Sequence, residues 1–231
     1  KNTPHAQLYP MLTETDIKRY AYQVCVALAT SHTRGIMHRD VKPGNILIDH
    51  DSKLAKLGDW GLADFYHPHA EYHTRVGTKG YKAPELLLGL REYDYSIDMF
   101  AFGVTLASMV LKSRPIEQSK DDLDGLKNLA KFTGSQPLLD FIEKYKLVNV
   151  SKEQIEAIGD YKPKKLTSFV NEENVSNASE EALDLISKLL TVDHYERIPA
   201  HLALEHKFFD SIRQDPILQQ QLQGFDPSKI Q

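Results

Sequence analysis

Apolar residues at Ile17, Tyr20, Val24 and Leu28 recur at the interval of one helix face, which predicts an amphipathic helix. Thr13, with Asp16 three residues on, stands where a capping box opens such a helix, Asp taking the place more often held by Glu or Gln. The pattern predicts one long helix from about Thr13 to Thr33, closing near Gly35. Two short apolar runs, Ile46-Leu47-Ile48 and Leu54-Ala55-Lys56-Leu57, flank the polar turn His50-Asp51-Ser52 and predict a β-hairpin. From Ser96 to Leu111 apolar residues cover nearly the whole circumference, as in a helix enclosed by protein, and this segment is expected to be the central pillar. Leu123, Leu126, Leu129 and Ala130 predict a further helix. Ala182, Leu183, Ile186, Leu189 and Leu190 predict another, with Ser179 as its cap. Between these two, residues from about 134 to 178 are mixed and polar and read as an insertion with limited regular structure, the lysines Lys162, Lys164 and Lys165 forming a solvated surface. The fold class expected is mainly α with a small β-hairpin element.

Composition narrows the picture. A chain of 231 residues, 41% hydrophobic and 26% charged, is long enough to bury one large core and is that of a globular protein. The longest apolar stretch, Met99 to Leu111, is thirteen residues and contains Thr105 and Ser108, short of the roughly 20 a membrane span needs. A formal charge of −4 gives no electrostatic reason to expect nucleic-acid binding. The one cysteine, Cys25, sits in the apolar pattern of the first long helix, where it reads as core filler; with no internal disulfide to form, it suggests a reducing compartment, cytoplasm or nucleus. Residue 1 is Lys rather than Met, and truncation is the expected reason.

Three motifs follow one another on a short stretch: His38-Arg39-Asp40-Val41-Lys42-Pro43-Gly44-Asn45, Asp59-Trp60-Gly61 and Ala83-Pro84-Glu85. Each meets a separate need of phosphoryl transfer: a carboxylate to orient an attacking hydroxyl, oxygen ligands for Mg²⁺, and an anchor for a substrate-binding segment. Singly, Asp, Asn and Lys are ordinary turn residues. In this order and spacing they resemble the C-terminal, catalytic half of a protein kinase. The resemblance implies a catalytic loop at 38–45 and an activation segment at 59–85. Asp40 then orients the substrate hydroxyl and takes its proton late, while Lys42 neutralises the transferring phosphoryl group. Asn45 and Asp59 supply hard oxygen ligands for Mg²⁺, and Leu47 floors the adenine site. His38 packs to shape the loop, Arg39 pairs with a charge of the activation segment, and Thr78 bonds the catalytic loop and marks a Ser/Thr rather than Tyr acceptor. Glu85 and Arg197 are expected to form a buried, bidentate ion pair, and Asp98 to hold the catalytic-loop backbone. His67, His69 and His73 lack the carboxylates or cysteines of a metal site and are expected on an exposed loop.

The segment Asp59-Trp60-Gly61-Leu62-Ala63-Asp64-Phe65-Tyr66-His67-Pro68, with Trp where most kinases have Phe, resembles the casein kinase II catalytic (alpha) subunit family. So do Gly35-Ile36-Met37-His38-Arg39-Asp40-Val41-Lys42-Pro43, Tyr93-Asp94-Tyr95-Ser96-Ile97-Asp98-Met99 and the stretch near Tyr195-Glu196-Arg197. This resemblance implies a Ser/Thr kinase using Mg-ATP, with GTP also serving in that family, and acting on acidic protein substrates. Arg75, Lys79 and Lys82 match the basic positions that hold acidic groups just beyond the acceptor residue. Gly44 stands where the family has His, and Gly58 where it has a bulky aliphatic residue under the nucleotide. No Gly-x-Gly-x-x-Gly occurs in the sequence, and no strand Lys with a helix Glu precedes the catalytic loop. Residues 1–231 are therefore expected to be a kinase C-terminal lobe without its N-terminal β lobe, poorly active alone, with Asn2-Thr3 just past the interlobe hinge. In the resembled family a regulatory subunit docks mainly on that lobe. The alternative is a truncated, catalytically inert paralogue that binds or competes for acidic partners.

Overall fold

Thr13 opens the first long helix as the sequence predicts: its Oγ1 accepts from Asp16 N at 3.2 Å while Asp16 Oδ2 accepts from Thr13 N at 3.3 Å, a complete capping box built with Asp. The computed structural model describes residues 5–113, 116 and 118–222, so the expectation for Asn2-Thr3 lies outside the described residues. In chain order the elements are α1 (His5–Leu8), α2 (Glu14–His32), β1 (Ile36–Met37), β2 (Ile46–Asp49), β3 (Leu54–Leu57), β4 (Asp64–Phe65), α3 (Pro84–Leu87), α4 (Ser96–Leu111), α5 (Asp122–Thr133), α6 (Gln136–Lys144), α7 (Lys152–Ile158), α8 (Glu180–Leu189), α9 (Ala200–Leu204) and α10 (Pro216–Gln221). Short 3₁₀ turns at Tyr9–Met11, Pro43–Asn45, Trp60–Leu62, Leu166–Phe169 and Lys207–Ile212 link several of them.

The core wraps α4, in which every residue from Ile97 to Leu111 is buried. Its two internal hydroxyls return to the helix backbone, Thr105 to Ala101 O and Ser108 to Val104 O, each at 3.0 Å, so that burying them costs little. Gly103 is where α8 comes closest: a Cβ there would lie 2.7 Å from Leu189 Cβ. On the other flank α2 buries Ile17, Tyr20, Val24 and Leu28 and packs on α4, α9 and β3. Cys25 is buried, its thiol directed at Ala200 O at 3.4 Å.

β2 and β3 form the expected antiparallel hairpin, with Ile46 opposite Leu57 and Leu47 opposite Lys56. A second antiparallel pair, β1 with β4, was not foreseen; it sets Ile36 against Phe65 and Met37 against Asp64. Residues 134–178 also depart from expectation, since they hold α6 and α7 rather than little regular structure. Leu138 and Phe141 anchor α6 in the core; α7 starts from a second capping box, Ser151 with Gln154, and buries Ile158. Lys162, Lys164 and Lys165 are exposed, as predicted. Leu123, assigned to an apolar face, is instead exposed at the start of α5, which packs through Leu126, Leu129 and Ala130.

Candidate active site

The β1–β4 pairing has a direct consequence, because it lays the segment after β3 against the loop that joins β1 to β2. His38, fully buried, cross-links the two. Its Nδ1 accepts from Asp40 N at 3.2 Å, which leaves Nε2–H to donate to Gly58 O at 3.0 Å and so assigns the tautomer from the network. Trp60 packs edge-on to this imidazole, ring centres 4.6 Å apart, and donates from Nε1 to Leu57 O.

The loop backbone is gripped from below. Asp98, in the first turn of α4, accepts from His38 N and Arg39 N, both at 2.7 Å, and its Oδ2 also meets His32 Nε2 at 3.0 Å. This clasp holds Arg39 at φ 65°, a left-handed conformation that is unfavourable for a side-chain-bearing residue. The Arg39 guanidinium reaches the segment 59–85, with Nε donating to Leu62 O at 2.6 Å and Nη1 pairing with Asp64 at 3.0 Å.

From that platform Asp40 enters a closed triangle. Lys42 Nζ donates to Asp40 Oδ2 at 2.8 Å and to Thr78 Oγ1 at 2.6 Å, while Thr78 Oγ1 donates to Asp40 Oδ1 at 2.6 Å. Asn45 Nδ2 adds bonds to Asp40 O at 2.8 Å and Oδ2 at 3.1 Å, so its amide oxygen is turned away and left as an acceptor. Burial disfavours the charge on Asp40, but the hydrogen bonds of Lys42, Thr78 and Asn45 and the Lys42 charge outweigh it and hold the carboxyl below the usual carboxylate range. Thr78 arrives because the chain passes very close at Gly77: φ is +77° and a Cβ would lie 3.0 Å from Arg39 O, so only glycine fits without strain.

Asn45 and Asp59 are tied together by Gly58 N donating to Asn45 O at 2.8 Å. Asp59 itself is exposed, with φ 57°, and no hydrogen bond or ion pair is made by its carboxylate among the described residues. An unengaged carboxylate and an amide oxygen free to accept, on segments joined by that backbone hydrogen bond, are the donor types that suit a hard cation taking its remaining ligands from phosphate and water, as Mg²⁺ does. Leu47 is 64% exposed on the outer face of the hairpin. A Cβ at Gly58 would meet Leu47 Cδ1 at 3.5 Å in ordinary contact, so the missing aliphatic group lies directly beside Leu47.

The remaining predicted residues separate into two groups. Glu85 and Arg197 form the expected pair, bidentate at 2.7 and 3.0 Å and with both side chains wholly buried. Arg197 spends its other donors on Thr191 O, Ser96 O and Val192 O, so no N–H of the guanidinium is wasted. Of the three cations expected to meet substrate, Arg75 is exposed and makes no ion pair among the described residues, and Lys79 donates to Lys120 O at 2.9 Å. Lys82 is bound to Asp122 at 2.8 Å. His67, His69 and His73 are all exposed. Asp64 is the charge of segment 59–85 that Arg39 was expected to meet, although the residue itself was not named. Sequence reasoning missed His32, Gly77 and Asp122; only Gly77, a glycine beside the threonine expected to bond the loop, carried a signal of its own. The family model described as a protein kinase domain matches residues 4–209.

Proposed function

The chain belongs to the protein kinase domain family, and from that premise we propose that it transfers the γ-phosphoryl group of Mg-ATP to Ser or Thr hydroxyls in acidic sequence contexts. The observation that supports this best is the triangle of Asp40, Lys42 and Thr78. Asp40, held ionised, accepts a hydrogen bond from the substrate hydroxyl, aligns it with the γ-phosphorus and takes the proton as the new O–P bond forms and the bond to the departing nucleoside diphosphate breaks. Lys42 offsets negative charge on the moving phosphoryl group. Asn45 and Asp59 are the residues that would hold Mg²⁺, which supplies charge neutralisation on the phosphates when bound. Leu47, exposed on the hairpin, offers an apolar floor to the adenine.

The finer reading follows the resemblance to the casein kinase II alpha subunit family. It comprises acidic protein substrates drawn by Arg75 and Lys79, GTP as a second phosphoryl donor, residence in cytoplasm or nucleus, and a regulatory subunit that docks on an N-terminal lobe. The reading of residues 1–231 as the C-terminal lobe of that fold is supported by the two sheets of two strands each among the described residues and by a sequence that holds no Gly-x-Gly-x-x-Gly. Gly58 supports one alternative, a kinase-like module that binds acidic partners without chemistry, because a floor lacking one aliphatic side chain holds a nucleotide less tightly.

A thermal-shift titration of the complete protein separates the two. Mg-ATP at 100 times its Kd should stabilise an active enzyme by about 2.7 kcal/mol, and Asp59→Asn should abolish the gain. No shift in the unmutated protein would sink the enzymatic reading and leave the binding module.

A further inference from the structure

Resting on the acid-directed reading above, the cation that stands apart is Lys82. Lys79 is engaged by a backbone carbonyl, which carries no net charge and leaves its ammonium fully positive at long range. Lys82 is engaged by a carboxylate, which cancels it. The pair is asymmetric in its access to solvent: the Lys82 side chain is 7% exposed, that of Asp122 46%. The lysine stem lies in a recess lined by Gly80, Leu87 and Ile116, and α3, which begins two residues after Lys82, packs on α5, which begins with Asp122. A carboxylate approaching from outside therefore meets the negative end of the pair first. Asp122 is not needed to cap its helix, because Asp121 does so, accepting from Asp124 N at 2.8 Å.

We propose that Asp122 is a built-in occupant of the Lys82 cation, a specificity-determining residue that closes this position to substrate carboxylates and leaves acid recognition to Arg75 and Lys79. The chain then accepts acidic substrates with a narrower requirement than three free cations would impose. An acidic side chain directed at Lys82 must displace Asp122 or be repelled by it.

The test compares two peptides differing only in Asp or Asn just beyond the acceptor Ser, on the complete protein, as KM in turnover and as Kd by fluorescence anisotropy so that the result does not depend on catalysis. Asp122→Asn should raise the Asp-over-Asn preference by about 3- to 10-fold, the range expected when one charge-assisted contact becomes available at a partly buried site. Adding Lys82→Met should return the preference to its wild-type value, and Asp122→Glu should keep it there. A preference that Asp122→Asn does not move, in a protein where Arg75→Glu still lowers it, overturns the proposal and leaves the acid-directed reading standing. If neither variant changes a preference that is absent from the start, both fall. Should Asp122→Asn fail to fold, the Lys82→Met/Asp122→Asn double variant decides alone: a preference below wild type means Lys82 was already binding substrate, against the proposal.

Discussion

Asp98→Asn is the sharpest probe of how the catalytic loop is held. The substitution preserves shape and removes one oxygen from a carboxylate that is 1% exposed and accepts two backbone N–H groups, each at 2.7 Å, and faces His32 at 3.0 Å. Whichever way the new amide turns, its NH₂ faces either His38 N or Arg39 N, and a buried donor is left against a donor. A hydrogen bond to a charged group contributes about 1.5–3 kcal/mol and an orphaned buried donor costs about 1–3, so we expect a loss of roughly 2–4 kcal/mol. For a domain of this size each kcal/mol moves Tm by about 2–4 °C, which places the fall at roughly 4–16 °C. Arg39, no longer clasped at φ 65°, should relax out of the left-handed region and carry Asp40 with it. Amide exchange at His38 and Arg39 should accelerate well before the helices open. Calorimetry with hydrogen exchange on the variant reads both effects. A Tm within 2 °C of wild type, or unchanged protection of the two amides, would refute the view that α4 holds the loop through this carboxylate.

Two further outcomes follow from the geometry. Gly103→Ala places a Cβ 2.7 Å from Leu189 Cβ, so α8 must shift. Despite a helix-propensity gain of about 1 kcal/mol, overpacking of about 1–3 should lower the denaturation midpoint with the slope unchanged, and a midpoint at or above wild type would mean that α4 and α8 have room to spare. Because the Asp40 carboxyl lies below its ordinary range in the folded protein, its ionised form adds stability that is present above the unfolded value of about 3.9 and lost as pH falls through the lowered folded value. The stability gap between wild type and Asp40→Asn should therefore be level from about pH 7 to 5 and shrink below about pH 4; a gap that stays level into strong acid contradicts the network around Asp40.

What could be read from the sequence was local. The Thr13–Asp16 cap, the buried periodicity of α2 and the all-round apolar α4 each lie within one element, and the Leu47–Lys56 hairpin joins two consecutive ones; the structure places them as expected. Asp40, Lys42 and Asn45 were legible for the same reason, being two and five residues apart. The anchors of the site come from far along the chain: Thr78 is 38 residues from Asp40, and Arg197 is 112 from Glu85. Motif knowledge supplied those pairings and the segment in which Arg39 finds Asp64, whereas His32 and Asp122 belong to no motif and became partners only through topology. β1 and β4, two residues each, are too short to show alternation. The helices α6 and α7, nine and seven residues long, are short and set among polar residues, yet each carried a readable signal: Leu138, Phe141 and Ile142 at helical spacing in α6, and the Ser151–Gln154 cap in α7. Charge type was visible at Lys82, but whether the charge was free depended on a residue 40 positions on.

The chain has one tryptophan, Trp60, 39% exposed and seated edge-on against His38 between the two halves of the site. Its optical signal is therefore local. Indole emission reports the packing of the Asp59-Trp60-Gly61 turn on the catalytic loop, whereas far-ultraviolet dichroism reports the helices around α4. The two spectra, followed through one melt, give separate curves for the site and for the scaffold, and the interval between them measures how far the site can loosen while the fold beneath it stays intact.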